Sequence, residues 1–223
     1  MIVDLDFSQI NWEEVGKSTI DTLRMLGASG LFTLLLGLPL GVVLFLTSRS
    51  SNVVLQIVYN ILSVIVNILR SVPFIILIVA LIPLTRLIVG TSIGVEGTIP
   101  PLVIGAVPFF ARLVETSLRE VDRGVIEAAQ SMGASTTQII FRVLLREALP
   151  GLVAALTITI VTLVSYTAMS GMIGGGGLGA LAINYGYYRY NLPVMIVAVA
   201  LMVVIVQVLQ MVGDRLVRHY TRK

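Results

Sequence analysis

Asp122-Arg123-Gly124-Val125-Ile126-Glu127-Ala128-Ala129-Gln130-Ser131-Met132-Gly133, then Ala134 and Ser135-Thr136-Thr137-Gln138-Ile139-Ile140, is a polar, helix-prone stretch set in an apolar chain. Asp122 can accept hydrogen bonds from the first free N–H groups of a helix opening at Arg123. Gly133 suits the left-handed residue that stops such a helix. Ser135 and Gln138 have the spacing of a capping box, which predicts a second helix directly afterwards. Ile139, Ile140, Val143 and Leu144 fall along one stripe of it, and Pro150 suits the opening turn of the helix that follows. The stretch therefore predicts two capped helices over about 122–147. Arg119, Arg123, Arg142 and Arg146 mark it as cytoplasmic in a membrane protein.

The rest of the chain is membrane-like. It has 223 residues, 57% hydrophobic and 12% charged, with a mean hydropathy of +0.98. A soluble domain carries about 25% charged residues, so most of these side chains are solvated by lipid or by neighbouring membrane helices. The net charge of +3 comes from few cations placed at the ends of apolar segments. That fits anchoring to a lipid bilayer and argues against nucleic acid as a partner. With no cysteine, disulfides and thiol chemistry are excluded. The single histidine, His219, reads as an interfacial residue. Asp4, Asp6, Glu13 and Glu14 precede the first cation, Lys17. A cleavable signal needs a basic start, so the first apolar segment is expected to stay as an anchor.

A spanning helix needs roughly 20 apolar residues. Candidates run from about Leu23 to Thr47, from Val53 onward, from Ile99 to Leu118, from Leu152 to Met172 and from Leu192 to Val212. The second stays apolar to about Val89, too long for one span, and Arg70, Pro73 and Pro83 interrupt it. It is either one span followed by a broken or re-entrant piece, or two short spans. One crossing puts Arg49 and Arg119–Arg146 on the side of Arg215, Arg218, Arg222 and Lys223, and the acidic N-terminus on the other. The positive-inside rule favours that arrangement: five spans, N-terminus extracytoplasmic, C-terminus cytoplasmic. The expected domains are an extracytoplasmic segment 1–18, a transmembrane domain 19–218 and a cytoplasmic tail 219–223.

The letters of the loop carry a resemblance. Glu127-Ala128-Ala129, three residues, Gly133, nine residues, then Val143, Leu144 and Leu145 is similar to the cytoplasmic signature of the membrane subunits of bacterial ABC importers. Arg146 stands where that signature has proline, and Leu149-Pro150 follows. This variant resembles the methionine-importer branch, as do Arg70-Ser71-Val72-Pro73-Phe74, Ile82-Pro83-Leu84-Thr85-Arg86, Gly174 to Gly179, Asn184-Tyr185-Gly186-Tyr187 and Gly213-Asp214-Arg215. The resemblance covers about Ser18 to Lys223. It implies an all-α polytopic fold with five transmembrane helices, that of a type I importer permease in the bacterial inner membrane. It also implies a homodimer, two cytoplasmic ABC ATPase subunits that bind ATP and Mg, and a lipid-anchored extracytoplasmic binding protein. Glu127, Ala128, Ala129 and Gly133 would couple ATP hydrolysis to alternating access. The implied cargo is methionine, with D-methionine or another amino acid left open. A scaffold that merely docks a cytoplasmic partner is the alternative from another class.

Nothing in the sequence holds a nucleotide. A phosphate loop needs Gly-Lys followed by Ser or Thr, which the run Gly174-Gly175-Gly176-Gly177-Leu178-Gly179 lacks. That run is expected to give an outer loop freedom to bend. No catalytic constellation is visible, so enzymatic function is not expected. Ionisable residues within spans are functional candidates. Arg70 either serves the translocation path or snorkels to the outer surface. Glu115 is expected to pair with Arg112 or Arg119, and Asn67 is a further path candidate. Ser165, Tyr166 and Met169, near the end of the fourth span, mix polar and soft apolar side chains as a closable constriction needs. The family resemblance makes Met169 a gate where two copies meet. Ordinary packing accounts for a methionine there equally well.

Overall fold

The computed structural model describes residues 7–221. Asp4, Asp6, Arg222 and Lys223, used in the charge reading, lie outside the described residues. The described chain is helical, with no strand. Five helices are long and apolar enough to cross a membrane: α1 (Trp12–Ser48), α2 (Val53–Ser71), α5 (Gly94–Arg119), α9 (Leu149–Ser170) and α11 (Leu192–Thr221). α5 has 61% of its most apolar window buried against 6% for α2. So α5 is largely covered by the chain's own side chains, while α2 offers nearly all its surface outward.

The ambiguous segment after Asn52 resolves into one span and a broken piece. α2 ends at Ser71, and Pro73 sits at the N-cap of α3 (Phe74–Ala80) with extended backbone. α4 (Ile82–Val89) opens with Pro83 in its first turn and stops at Gly90 in the left-handed conformation. At about 1.5 Å per residue neither short helix reaches across 30 Å of hydrocarbon.

α1 starts eleven residues before the expected span. Glu13, Glu14, Lys17, Asp21 and Arg24 lie in its first turns, where the Asn11 side chain accepts from the Glu14 N–H at 3.2 Å and Asp21 pairs with Arg24. Hydropathy sees polar residues there, but polar residues continue a helix wherever water reaches it. The boundary between positions 18 and 19 thus falls inside α1, and that between 218 and 219 inside α11.

The chain falls into two compact units, one built from residues up to Phe32, Val72–Ala106 and Ile160–Leu209, the other from Thr33–Ser71, Val107–Thr159 and the chain from Gln210. In the first, Met25, Phe74, Ile78, Leu102 and Leu163 form one core cluster, and Val15, Leu178, Leu181 and Ala198 belong to another. In the second, Phe45, Phe110, Val114, Leu118, Ile139, Leu144 and Leu152 form the core. Gly37 and Gly41, one helical turn apart on α1, admit α5 there. A Cβ on Gly41 would lie 2.5 Å from that of Val114. Small residues at this spacing let two membrane helices touch backbone to side chain.

Candidate functional site

The loop between α5 and α9 is built as its sequence dictates. α6 (Arg123–Ser131) is capped by Asp122, whose Oδ1 accepts from the Gly124 N–H at 2.6 Å. Gly133, at φ +78°, ends it, and its N–H donates to Gln130 O at 2.9 Å. The capping box is present: Gln138 N–H donates to Ser135 Oγ at 3.4 Å, and Ser135 N–H to Gln138 Oε1 at 2.9 Å. One feature was not foreseen. After α7 (Thr136–Gln138) the helix continues as a π-helical segment, Ile139–Leu144, before α8 (Leu145–Glu147). Ile139 and Leu144 are both buried. Five residues apart, they would point about 140° from each other on an α-helix. A π turn, bonded i to i+5, brings both onto the core side.

This construction sorts the four expected coupling residues. Glu127, Ala128 and Gly133 are exposed, whereas Ala129 is 5% exposed and packs in the core with Ile139 and Leu144. Ala129 therefore lies on the inward face, where its small side chain seats α6 on the bundle. Glu127 and Ala128 are left free on the surface of the loop, as are Val125, Met132 and Phe141, which are 40%, 82% and 64% exposed. Three exposed apolar side chains on a charged loop make a surface suited to a partner.

Alongside α6, Ser48 and Arg49 at the end of α1, Arg119 at the end of α5, and Arg123 and Glu127 of α6 line one crevice of about 730 Å³. The ends of α1 and α5 therefore share one face of this unit. Burial, then the nearby Arg123 and Arg119 charges, lowers the pKa of Arg49. Arg49 also sits 4.9 Å from the centre of the Phe45 ring.

Glu115 is 1% exposed and pairs with both expected arginines, Arg112 and Arg119, each at 2.6 Å. Arg112 Nη2 also donates to Ser63 Oγ at 2.8 Å and Asn67 Oδ1 at 3.1 Å, and Arg119 Nη2 to Tyr59 Oη at 3.3 Å. Tyr59, Ser63 and Asn67 recur every fourth residue, a polar stripe on the apolar helix α2 that is legible in the sequence and was read only at Asn67. Asn67 is thus engaged in tying α2 to α5. Arg70 is exposed in the last turn of α2, 5.7 Å from the centre of the Phe109 ring.

Ser165 and Met169, one turn apart on α9, are both exposed, Met169 at 42%. Tyr166 instead turns inward and stacks on Phe74, ring centres 4.2 Å apart and planes within 1°. The structure therefore groups Ser165 with Met169 and separates Tyr166 from them.

The glycine run is a correction. It is packed rather than free to bend. Gly94 N–H donates to Gly174 O at 2.8 Å, Gly175 N–H to Ser170 O at 2.9 Å, and Leu178 N–H to Thr22 Oγ1 at 2.8 Å. Gly177 has φ +72°, and a Cβ there would lie 2.6 Å from Thr22 Oγ1. Glycine is used here for close approach and for a backbone shape other residues resist.

Comparison with known proteins agrees with this construction. Residues 34–223 match the family described as "Binding-protein-dependent transport system inner membrane component". The chain is 52% identical over 210 residues to the "Probable D-methionine transport system permease protein MetI" of Vibrio cholerae serotype O1, covering 94% of this chain and 93% of that protein. It is 46% identical over 208 residues to the "Methionine import system permease protein MetP" of Bacillus subtilis, covering 93% and 94%. A solved structure titled "Inward facing conformations of the MetNI methionine ABC transporter" superposes with a TM-score of 0.90 at 49% identity, over 94% of this chain and 97% of that one. With a family match over most of its length, and relatives that share about half its residues from end to end, this chain is a member of the binding-protein-dependent transport system inner membrane components.

Proposed function

We propose that this chain is the permease subunit of an ATP-driven importer that carries methionine across the bacterial inner membrane. The observation that carries the proposal is the capped α6, which presents Glu127, Ala128, Val125 and Met132 outward while Ala129 fixes its inner face. Such a helix can be gripped from outside and moved as a body. The partner is a separate cytoplasmic ABC ATPase, present as two subunits, which binds ATP and Mg. Two copies of this chain pack about a two-fold axis, with the exposed α9 face bearing Ser165 and Met169 turned toward the path and Met169 as its gate. A lipid-anchored extracytoplasmic binding protein delivers the cargo. The cationic ends Arg49, Arg119 and Arg123 face the cytoplasm and the N-terminus lies outside. The methionine assignment is supported by the names of relatives at 46 to 52% identity.

The test is uptake into proteoliposomes that hold this chain with the ATPase that copurifies with it. Methionine should accumulate only with binding protein and ATP. Accumulation of a different amino acid reassigns the cargo. Absence of any uptake, with the ATPase still bound, favours a scaffold. Glu127→Arg and Gly133→Val should leave the chain inserted and ATP hydrolysis running, while uptake falls at least tenfold. Normal uptake by both variants would overturn the coupling role.

A further inference from the structure

The crevice alongside α6 has its own chemistry. Arg49, Arg119 and Arg123 converge on it, and Glu127 is the only carboxylate in its lining. Among the described residues no ion pair joins Glu127 to Arg49 or Arg123, and Glu115 is already held by Arg112 and Arg119. The group of four arginines and two carboxylates thus keeps a surplus of two positive charges. Burial first, then the charges of Arg123 and Arg119, lowers the pKa of Arg49. Hydroxyls of Ser48 and Thr136 share the lining, and its apolar part includes Phe45, Ile139 and Leu144.

Converging guanidinium groups beside hydroxyls suit the oxygens of a phosphate, which arginine binds through paired N–H donors. The setting narrows the source. Arg49 lies four residues before Val53, where α2 begins with Val53, Val54 and Ile57 exposed at 68%, 65% and 53%. An outward apolar surface starting beside uncompensated cations is the arrangement a phospholipid meets, headgroup at the charge and acyl chains along the helix. We propose that this crevice binds a phosphate anion, and that the anion is the headgroup of an acidic phospholipid.

The experiment uses the full chain in the complex in which it purifies, in mild detergent. Dioctanoyl phosphatidylglycerol, dioctanoyl phosphatidylcholine and inorganic phosphate are titrated separately and followed by native mass spectrometry. Phosphatidylglycerol should bind at least tenfold more tightly than phosphatidylcholine. Arg49→Gln should remove most of that difference, and Arg49→Lys, which keeps the charge and loses the fork, should fall between. Displacement of phosphatidylglycerol by millimolar inorganic phosphate would keep the phosphate site and assign its source to free phosphate. Equal retention of both lipids by the wild type, or a preference unchanged in Arg49→Gln, overturns the proposal. So does loss of a copurifying protein from Arg49→Gln with lipid retention intact, which would make the crevice a protein contact. If Arg49→Gln does not purify as a folded complex, the Arg49→Lys titration decides by the same criterion.

Discussion

Glu115 shows what a single side chain settles in an apolar bundle. Buried at 1% exposure, it costs much to desolvate, and two arginines offset that cost. Glu115→Gln should strand Arg112 and Arg119 and lower stability. The loss should fall short of the roughly 3 to 5 kcal/mol seen when a fully buried pair is broken, because Arg119 keeps 46% of its side chain in contact with solvent. A thermal melt in detergent measures it, and an unchanged midpoint would refute the hub. Gly177→Ala should also lower the midpoint, since a left-handed non-glycine residue costs about 1 to 2 kcal/mol and the added methyl meets Thr22 Oγ1. Gly16→Ala is the matched control. Its Cβ meets nothing within 4 Å, and alanine in a helix is favoured by up to about 1 kcal/mol, so its midpoint should hold or rise. The pairing at Glu115 was legible because Arg112 and Arg119 lie three and four residues away, within helical reach. The packing at Gly177 was not, because Thr22 is 155 residues distant in sequence and no local pattern announces it.

At the scale of elements, the caps of the loop were read correctly because each is a local rule acting over three or four residues. Asp122, Gly133 and the Ser135–Gln138 box stand where the spacing put them. What escaped was the inward turn of Ala129 and the π-helical segment, both set by the core beneath rather than by the loop's own letters. Asp122→Ala and Ser135→Ala should each cost about 1 kcal/mol of local helix stability. Amide hydrogen exchange across 123–138 should then quicken about fivefold, with exchange in α5 unchanged. Equal exchange in variant and wild type would show that packing alone holds the loop. The start of α1 differs from the start of the expected span for a related reason. Hydropathy marks where lipid begins, whereas a helix runs on into water for as long as its residues favour it.

For the whole molecule, the placement of the cations predicts a single net crossing between Ser50 and Gly94. The chain lacks cysteine, so single cysteines report the two sides without interference. Ser50→Cys and Met132→Cys should react with an impermeant thiol reagent from one face of sealed vesicles, and Ile93→Cys from the other. Labelling of all three from one side would refute the crossing. Five spans and their order were legible from apolar length and charge. Which of them the chain's own side chains cover was not, because α2 and α5 are both apolar and differ in small residues and partners rather than in hydropathy.

The joint between loop and membrane carries one more consequence. Ala148 N–H donates to Leu144 O and Leu152 N–H to Ala148 O, both at 2.9 Å. Thr136 to Thr159 therefore runs close to one helical rod, with no slack tether where the loop meets α9. Force applied at α6 reaches that rod as torque. The π turn is the one place where its phase is set by an extra residue. Deleting Ile140 should swing everything before it by about 100° around the rod. Such a variant should insert normally yet fail to retain the ATPase proposed to grip α6, a lever intact in length but pointing the wrong way.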